Sequence, residues 1–287
     1  MAKMAGNFTK DEIVSRLRAE SNRSRPIYDA LCGSGITAKF SARGGADLIT
    51  TFNLAFYRMQ GLSSMAGYLP IGDANAITLE LGERYILNAV KECPVVAGVL
   101  AVDPTRNMGL FVNRLQAAGF DGVMNCPTLS LIDGKFRKDL EETGMGYYQE
   151  VEVLRDASCK GLFTKAFCTT PDEALAMAEA GVDNIIVHFG NSSGGSIGSK
   201  TVMSVDDSAH RAAAIFDALA PRHSNLIYTC HGGAIEKAEH FEALLGCEPR
   251  FDGYVGGSSA ERLPVEESVS AAARAFKSVL LKKKGPI

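Results

Sequence analysis

The sequence predicts an α/β protein, a single (β/α)8 TIM barrel with an N-terminal helical extension, and two observations carry this prediction. Along the 287 residues, short β-branched runs alternate with segments of helical spacing, which is typical of parallel strands joined by crossover helices. There are about eight such units, and right-handed connections favour closing them into a barrel. An open doubly wound sheet is the alternative, but no Gly-x-Gly-x-x-Gly sequence opens a helix directly after the first strand. We therefore expect one domain over residues 1–287, with the barrel core at about 26–281.

The predicted elements follow from the hydrophobic periodicity along the chain and from residues that start or end helices and strands. Strands are expected at 30–36, 47–53, 95–103, 122–126, 162–168, 184–189, 225–230 and 251–256. Helices are expected at 37–43, 74–90, 108–118, 135–142, 146–158, 171–180, 206–219, 235–245 and 265–281, with another within residues 1 to about 26 over the barrel bottom. Thr170 and Pro171 form a helix start, and Gly119 and Gly181 are typical of helix ends.

Composition narrows the functional classes. With 46% hydrophobic residues the chain can bury a large core, and 30 basic against 33 acidic residues leave a net charge of -3. This charge lacks the basic excess that nucleic-acid binding needs. The longest strongly apolar run, 94–102, is far shorter than a membrane span, and the charged N-terminus has no apolar segment before a cleavage site, so we expect a cytoplasmic protein. Seven cysteines without a Cys-x-x-Cys pair indicate neither a disulfide framework nor a zinc finger.

Polar residues inside predicted strands indicate which strand face points into the barrel. The other face meets the apolar helix layer, where a polar side chain would be costly. By this argument Lys165 lies inside with Phe163 and Phe167, since a buried ammonium needs a partner. His188, at the end of the sixth strand, also points inward. The alternative is that such residues are satisfied core side chains.

Further polar residues come at the carboxyl ends of strands, where barrel enzymes build their active sites. Asn53 ends the second predicted strand, Asp103 the third and Asn125 the fourth, and His231 follows the seventh. We expect these side chains to converge on one rim with the two strand residues above, as candidate catalytic residues. Alternatively, Asp103 caps the next helix and the two asparagines only tie down loops.

Two glycine-rich loops predict an anion site. Gly232 and Gly233 follow the seventh strand, and Gly257, Ser258 and Ser259 follow the eighth. Barrels commonly hold a phosphate between these loops, where backbone N–H groups and a helix N-terminus meet an anion. Glycine lets the backbone approach closely, and serine adds hydroxyl donors. The alternative is that the paired glycines only make tight turns.

The loop at 190–200 is predicted to be a mobile lid. It carries four glycines among small polar residues, and Gly190, Ser193, Gly194 and Gly195 form its first half. Such a loop can close over a ligand and exclude water, although a disordered loop would have the same composition. The apolar connection at 54–73, which contains Arg58, is a second candidate cover or an oligomer contact.

Five segments of the sequence resemble a known family. They are Gly45-Ala46-Asp47-Leu48-Ile49, Leu69-Pro70-Ile71-Gly72-Asp73-Ala74-Asn75, His188-Phe189-Gly190, His231-Gly232-Gly233 and Gly256-Gly257-Ser258-Ser259-Ala260-Glu261-Arg262. Together they resemble the TIM-barrel signal-transduction family, which is described as phosphoenolpyruvate hydrolase-like or as phosphonopyruvate hydrolase. The barrel is also similar to the C-terminal domain of a plant tobamovirus-resistance protein. The resemblance covers about residues 26–281 and implies a barrel that acts on phosphoenolpyruvate or phosphonopyruvate.

The resemblance also bears on a metal. Enzymes that act on phosphonopyruvate bind a divalent metal through clustered acids near the ends of the second and third strands, and they carry an acid-rich, Cys-containing gating loop. This sequence departs from that pattern, because only Asp103 is a clear inward acid and the loop after the sixth strand contains no Lys-Cys-Gly-His. Asp103 and Asp73 remain candidates for holding Mg²⁺ through water, since Mg²⁺ commonly needs only one or two carboxylates plus substrate oxygens.

These observations favour an enzyme that acts on a small phosphorylated or phosphono carboxylate, most simply a hydrolase releasing pyruvate and phosphate. Lys165 would neutralise the enolate or the carboxylate, His188 or His231 would transfer a proton, and Asp103 would orient a partner or a metal. Two alternatives remain: an aldolase-type carbon-carbon lyase with Lys165 as the Schiff-base nucleophile, and a non-catalytic ligand sensor. We expect a homo-oligomer with a small anionic substrate and no nucleic-acid or membrane partner.

Overall fold

Parallel strands close into a barrel within residues 8–223 and 225–281, which are the residues that the structure, a computed structural model, describes. The eight strands found there are β1 (Ile27–Leu31), β2 (Leu48–Thr51), β3 (Val95–Val99), β4 (Gly122–Asn125), β5 (Phe163–Cys168), β6 (Asn184–His188), β7 (Ile227–His231) and β8 (Gly253–Gly256). They pair in sequence order, and β8 pairs with β1 to close the ring. The predicted α/β barrel is confirmed.

Helices follow the strands and surround the barrel. They are α1 (Lys10–Asn22), α2 (Gly35–Arg43), α3 (Asn53–Met59), α4 (Ala74–Leu81), α5 (Leu87–Ala89), α6 (Met108–Ala118), α7 (Gly134–Glu142), α8 (Tyr148–Cys159), α9 (Pro171–Glu179), α10 (Val205–Leu219), α11 (Ala238–Cys247) and α12 (Arg262–Lys277). The predicted caps form, since Thr170 accepts a hydrogen bond from the Glu173 N–H and Gly119 is left-handed at φ 108°. No helix among the described residues is long and apolar enough to cross a membrane.

Three predicted boundaries are corrected. β1 spans Ile27–Leu31 and not the predicted 30–36. It ends before Ser34 because Ser34 caps α2 by accepting a hydrogen bond from the Thr37 N–H. The second predicted strand ended at Asn53, but Asn53 is the first residue of α3. The predicted helix at 74–90 is interrupted by a π-helical segment, Gly82–Ile86. A Cβ on Gly82 would lie 2.1 Å from the Phe120 ring, so this close approach requires glycine.

The N-terminal helix closes the bottom of the barrel, as predicted. Thr9 and Glu12 form a capping box that starts α1, because each side chain bonds the backbone N–H of the other. Ile13 and Leu17 are at most 1% exposed and belong to the cluster of interior side chains that includes Phe163. The helix therefore covers the end of the barrel opposite the strand carboxyl ends.

Candidate functional site

A buried ion pair lies in the middle of the barrel. Lys165 Nζ is bonded to the Asp29 carboxylate and donates to Thr50 Oγ1 at 2.6 Å. Thr50 Oγ1 donates in turn to Asp29 Oδ1 at 2.9 Å, and none of the three side chains is more than 1% exposed. Burial lowers the pKa of Lys165, while the Asp29 charge opposes that shift. The predicted inward position of Lys165 is confirmed, and its ammonium is neutralised by a carboxylate of the protein itself.

Two histidines lie above this pair, at the carboxyl ends of adjacent strands. His188 and His231 are register partners at the ends of β6 and β7, and their ring centroids are 4.9 Å apart. Phe167 packs against both rings, at 4.5 Å from His188 and 5.3 Å from His231. Since Phe167 follows Lys165 by two residues on the same strand face, Lys165 lies one layer below the histidines. The predicted convergence of Lys165 with them on the rim is therefore wrong.

The hydrogen bonds that the two histidines form through Nδ1 assign opposite roles to their Nε2 atoms. His188 Nδ1 accepts from the Gly190 N–H at 2.9 Å, so the neutral ring carries its proton on Nε2. His231 Nδ1 lies 2.7 Å from the Val255 carbonyl oxygen, which can only accept, so the neutral ring leaves Nε2 without a proton. The pair thus offers one proton donor and one proton acceptor side by side.

Both rings are neutral at pH 7. Burial lowers the pKa of His188 well below its usual value, with further contributions from His231 and Arg211. Burial also lowers the pKa of His231 to about 4, against the hydrogen bond to Val255, which raises it. His231 is therefore unprotonated at neutral pH, which leaves the lone pair of Nε2 available, although a pKa this far below 7 makes the ring a weaker base than an ordinary histidine.

The low pKa of His231 predicts a pH-dependent stability. Between pH 6.5 and 4 the unfolded chain protonates this ring and the folded chain does not, so the free energy of unfolding falls as the pH falls, by at most about 3 kcal/mol. His231→Asn, whose amide can still donate to Val255, should remove that part of the loss. Urea unfolding at pH 6.5 and 4.5 measures the difference, with the exposed His210→Asn as the matched control. Equal pH slopes for His231→Asn and the parent would contradict the prediction.

Arg58 lies beside His231 and is fixed by a buried carboxylate. Arg58 Nε and Nη2 donate to Glu261 Oε2 at 3.1 and 2.7 Å, and Nη2 also donates to the Leu31 carbonyl. Glu261 accepts in addition from the Gly33 N–H at 2.7 Å and from Thr37 Oγ1 at 2.5 Å. No residue that the structure describes accepts from Arg58 Nη1. Its N–H groups are free to bind a ligand while the rest of the guanidinium stays fixed.

A small polar cavity, here called the rim cavity, opens above these residues. It has a volume of about 170 Å³ and is lined by Arg58, His231, Ser258 and Arg262, by Asn191, Ser192, Ile197, Gly198 and Ser199, and by Ser63, Ser64 and Met65. Cavities for drug-sized ligands measure about 300–1,000 Å³, so this one suits a smaller molecule. Two guanidinium groups and several hydroxyls favour an anion.

The eighth-strand loop contributes to the rim cavity in part as predicted. Ser258 lines it, and no described residue accepts from the backbone N–H of Ser258 or Ser259. A Cβ on Gly257 would lie 2.8 Å from His231 Cε1, so glycine is needed to clear the ring. The Ser259 hydroxyl points elsewhere, because it lies 3.0 Å from the Tyr254 hydroxyl.

The paired glycines of the seventh-strand loop have a different role from the predicted one. Gly232 and Gly233 both have positive φ, 86° and 61°, and a Cβ on Gly232 would lie 2.0 Å from the Gly190 carbonyl oxygen. The Gly233 N–H donates to that same oxygen at 3.3 Å, and its carbonyl accepts from the Ser193 N–H at 3.2 Å. They hold the base of the predicted lid and do not line the rim cavity.

The predicted lid lies folded over the rim. Ser193 Oγ bonds Glu236, and the Gly194 carbonyl accepts from Arg262 Nη2 at 2.9 Å. Ser196 donates to Glu266 through its N–H at 3.0 Å and its hydroxyl at 2.5 Å. Gly190, Gly194 and Gly195 have positive φ, which explains the glycines of this loop. The loop therefore completes the rim cavity from above.

Asp103 and Asp73 do not fit a metal. Both carboxylates bond Arg106, whose single positive charge offsets one of their two negative charges, and Asp103 also accepts from Asn75 Nδ2 at 3.0 Å and from Thr105. Burial works against ionisation of Asp103, but these hydrogen bonds lower its pKa to about 2. Neither residue lines the rim cavity, and among the described residues no three His, Cys, Asp or Glu side chains are grouped to hold a metal ion. The predicted place of Asp103 beside the histidines is wrong.

The two predicted asparagines tie elements together. Asn125 points outward, donating to Glu150 Oε2 at 2.7 Å and accepting from the Phe167 N–H at 2.7 Å, so its predicted inward position is wrong. Asn125 thus supplies a hydrogen-bond donor to Glu150, a fully buried residue. Burial raises the pKa of the Glu150 carboxyl to about 8. Asn53 donates to the Gly67 carbonyl at 3.0 Å and holds the connection after α3.

Sequence reasoning missed Arg58, Glu261 and Arg262 at the rim, and it missed Asp29 as the buried partner of Lys165. Asp29 could have been found by the argument used for Lys165, because it interrupts the apolar run at 27–31. Glu261 and Arg262 are the charged pair that ends a loop of small residues. The partner of Arg58 lies 203 positions away, which no local pattern reveals.

Fold and site together define a parallel barrel with a small polar cavity at its C-terminal rim. The family model described as phosphoenolpyruvate hydrolase-like matches residues 12–279, and the chain belongs to that family. The ToMV resistance protein Tm-1(GCR237) and the ToMV susceptible protein tm-1(GCR26), both of Solanum lycopersicum, are each 45% identical over 267 residues. The match covers 93% of this chain and 35% of each relative, so the chain spans about a third of their length.

Solved structures with the same fold are more distant. A phosphonopyruvate hydrolase in complex with oxalate and Mg²⁺ superposes with a TM-score of 0.58 at 15% identity, over 92% of this chain and 87% of that one. A 2,3-dimethylmalate lyase, described as a PEP mutase/isocitrate lyase superfamily member, superposes with a TM-score of 0.59 at 14% identity, over 97% of this chain and 93% of that one. At these identities the similarity establishes the fold.

Proposed function

We propose that the chain is a hydrolase of a small phosphono or phosphorylated carboxylate, releasing pyruvate and phosphate. The observation that carries the proposal is the complementary pair of neutral histidines beside the free Nη1 of Arg58. The family description supports the substrate class, and the size of the rim cavity supports a small anion. Phosphonopyruvate hydrolase, a solved barrel with the same fold, supports the substrate class.

The geometry supports a division of roles. Arg58 Nη1 and the Ser258 N–H group bind the anionic end of the substrate. His231 Nε2 takes a proton from water as the oxygen attacks phosphorus, and the broken bond leaves its electron pair on the enolate of pyruvate. His188 does not line the rim cavity, so its Nε2–H donates to the enolate oxygen of a substrate that extends past His231. The enol oxygen then returns that proton to His188, while the enol carbon takes the proton held by His231. Phosphate and pyruvate dissociate, and both histidines are back in their starting protonation states.

This mechanism uses no metal, because the acids that the resemblance implied do not fit one here. Asp103 and Asp73 already accept hydrogen bonds from Arg106, and neither lines the rim cavity. Arg58 and Arg262 line the rim cavity and supply hydrogen-bond donors for an anion, while Glu261 and Glu266 balance their charges. The Schiff-base alternative is disfavoured, because Lys165 is fully buried and paired with Asp29.

A phosphorus NMR time course tests the proposal. Purified protein is incubated with phosphonopyruvate or phosphoenolpyruvate, in EDTA and in Mg²⁺. We expect inorganic phosphate to grow at rates that agree within about twofold in the two conditions, because no step depends on a metal. A rate that appears only with Mg²⁺ would contradict the metal-free mechanism. Binding of either compound without phosphate release would contradict the hydrolase and favour the ligand-sensor alternative.

A further inference from the structure

Arg211, on α10, is a partly buried cation that no acid neutralises. Its Nη1 donates to the His188 carbonyl at 2.9 Å, and no carboxylate among the residues that the structure describes forms an ion pair with it. The other described arginines that are buried or partly buried each pair with a carboxylate; they are Arg18, Arg58, Arg106, Arg137, Arg155 and Arg262. Because a charge taken out of water without a partner is costly, Arg211 indicates a place where a ligand supplies the negative charge.

The acids closest to Arg211 are held by other groups. Asp207 lies four residues earlier on the same helix, a spacing at which Asp and Arg commonly pair, but its Oδ2 accepts from Ser204 Oγ at 2.7 Å. Burial lowers the pKa of Arg211, and the Glu173 charge opposes this shift, yet Glu173 Oε1 is bonded to Arg137 Nη2 at 3.2 Å. Nε and Nη2 of Arg211 therefore have no acceptor within the described part of the chain.

Arg211 lines a cavity at the base of the loop at 190–200, here called the outer cavity. It has a volume of about 700 Å³, which lies within the range of about 300–1,000 Å³ that is usual for small-molecule sites. Both ends of the loop line it, at residues 189–191 and 201–203, together with residues that follow β4 and β5. It shares only Asn191 with the rim cavity. The two cavities are thus separate sites on either side of the same loop base.

The outer cavity carries charges of both signs. Besides Arg211, the carboxylates of Asp133 and Asp207 line it, and both residues are exposed. Asp133 stands at the N-cap of α7 without capping it, and no residue that the structure describes bonds its side chain. A ligand with only negative charge would meet two carboxylates here. A carboxylate that lies beside an ammonium group in one small molecule matches both signs.

An apolar surface completes the lining of the outer cavity. Phe189 is buried, and Leu131, Val202 and Met203 are partly buried. A surface of this kind binds an apolar side chain, because contact removes both from water. The lining therefore combines a site for a carboxylate, a site for an ammonium group and a site for an apolar group.

We propose that the outer cavity binds a free α-amino acid with an apolar side chain. Nε and Nη2 form one edge of the Arg211 guanidinium, and the parallel N–H groups of that edge match the two oxygens of a carboxylate. The ammonium group is attracted by Asp133 and Asp207, and the side chain packs on Phe189 and Met203. This binding needs no turnover, so it is independent of the proposed hydrolase.

Methyl NMR of the methionines in the full chain tests the proposal, because a methionine lines each cavity. Met203 lines the outer cavity and Met65 lines the rim cavity. Met203→Leu and Met65→Leu assign the two signals. With L-leucine as the probe, we expect a saturable shift of the Met203 signal and a much smaller shift of the Met65 signal. A saturable shift of Met65 alone, or of neither signal, would overturn the proposal.

Two analogues of leucine test which charges are recognised. Isocaproate lacks the ammonium group and isoamylamine lacks the carboxylate. We expect each to bind about tenfold more weakly than leucine or weaker still, since each leaves one charged hydrogen bond unmade. Isocaproate that binds as tightly as leucine would overturn the assignment of an amino acid, and isoamylamine that does so would overturn the role of Arg211.

Substitution of Arg211 tests the site itself. Arg211→Gln, whose amide can still donate to the His188 carbonyl, should weaken leucine binding by about 10- to 100-fold. The other methionine signals report whether this variant keeps its fold, and Arg211→Lys, which keeps the charge and loses the paired N–H groups, should have an intermediate affinity. Arg114→Gln, at an exposed position on α6, is the matched control and should bind leucine like the parent. Unchanged affinity in Arg211→Gln would overturn the proposal.

Discussion

Replacing Lys165 with methionine should lower the free energy of unfolding by about 3–5 kcal/mol, because it leaves the Asp29 carboxylate buried without its partner. Urea unfolding at pH 7 with linear extrapolation measures the loss. The exposed ion pair between Arg84 and Glu80 provides the control, and Arg84→Met should cost less than about 1 kcal/mol.

A second substitution separates a structural role of Lys165 from a catalytic one. Lys165→Met combined with Asp29→Leu removes both charges, so most of the lost stability should return, as it often does when a buried pair is replaced by apolar residues. The double variant should keep phosphate release, because neither group lines the rim cavity. Borohydride with pyruvate should leave no covalent adduct on Lys165 of the parent. A stable double variant without turnover, or a trapped adduct, would restore Lys165 as a catalytic residue.

His231→Asn should lower the rate of phosphate release by about 10²–10⁴-fold, the range expected when a general base is lost. The asparagine amide can still donate to the Val255 carbonyl, so the fold of the rim should be kept. His188→Asn, whose side-chain oxygen can accept from the Gly190 N–H, should fall by a similar factor through loss of the proton donor. The rates are measured by phosphorus NMR.

The combined variant tests whether the two histidines act as a pair. Since one accepts and the other donates within the same reaction, the double variant should be little slower than either single variant. His210→Asn, on the exposed side of α10, should retain the full rate. Full activity in His231→Asn would remove the base from the proposed mechanism while leaving the anion cavity unaffected.

Sequence patterns predicted the fold because strand alternation and helix caps are local signals. The barrel, the N-terminal helix and the inward positions of Lys165 and His188 all follow from residues that are close together in the chain. The site was predicted in part. The position of His231 and Ser258 after strands predicted their region correctly. The position of Asn125 was predicted wrongly, because a polar side chain can point outward when it forms a hydrogen bond with a buried acid, here Glu150.

The remaining errors have two physical origins. The partners of Arg58, Glu261 and Lys165 are more than 100 positions away, so their pairing depends on the closed barrel and not on local pattern. Asp103 was read as an inward acid because it ends an apolar run. The run continues past β3, and Asp103 lies in the loop, where Arg106 is three residues away.

The bonds of Glu261 also bear on how the chain acquires its structure during synthesis. They connect the eighth unit to the first two, and the separation from Gly33 is 228 residues. Contacts of such high sequence separation form late, since the intervening chain must be ordered first. While the ribosome is still making the eighth unit, Arg58 has no acid to hold it. A nascent chain should therefore be unable to fix the Arg58 guanidinium in place until the eighth unit has emerged.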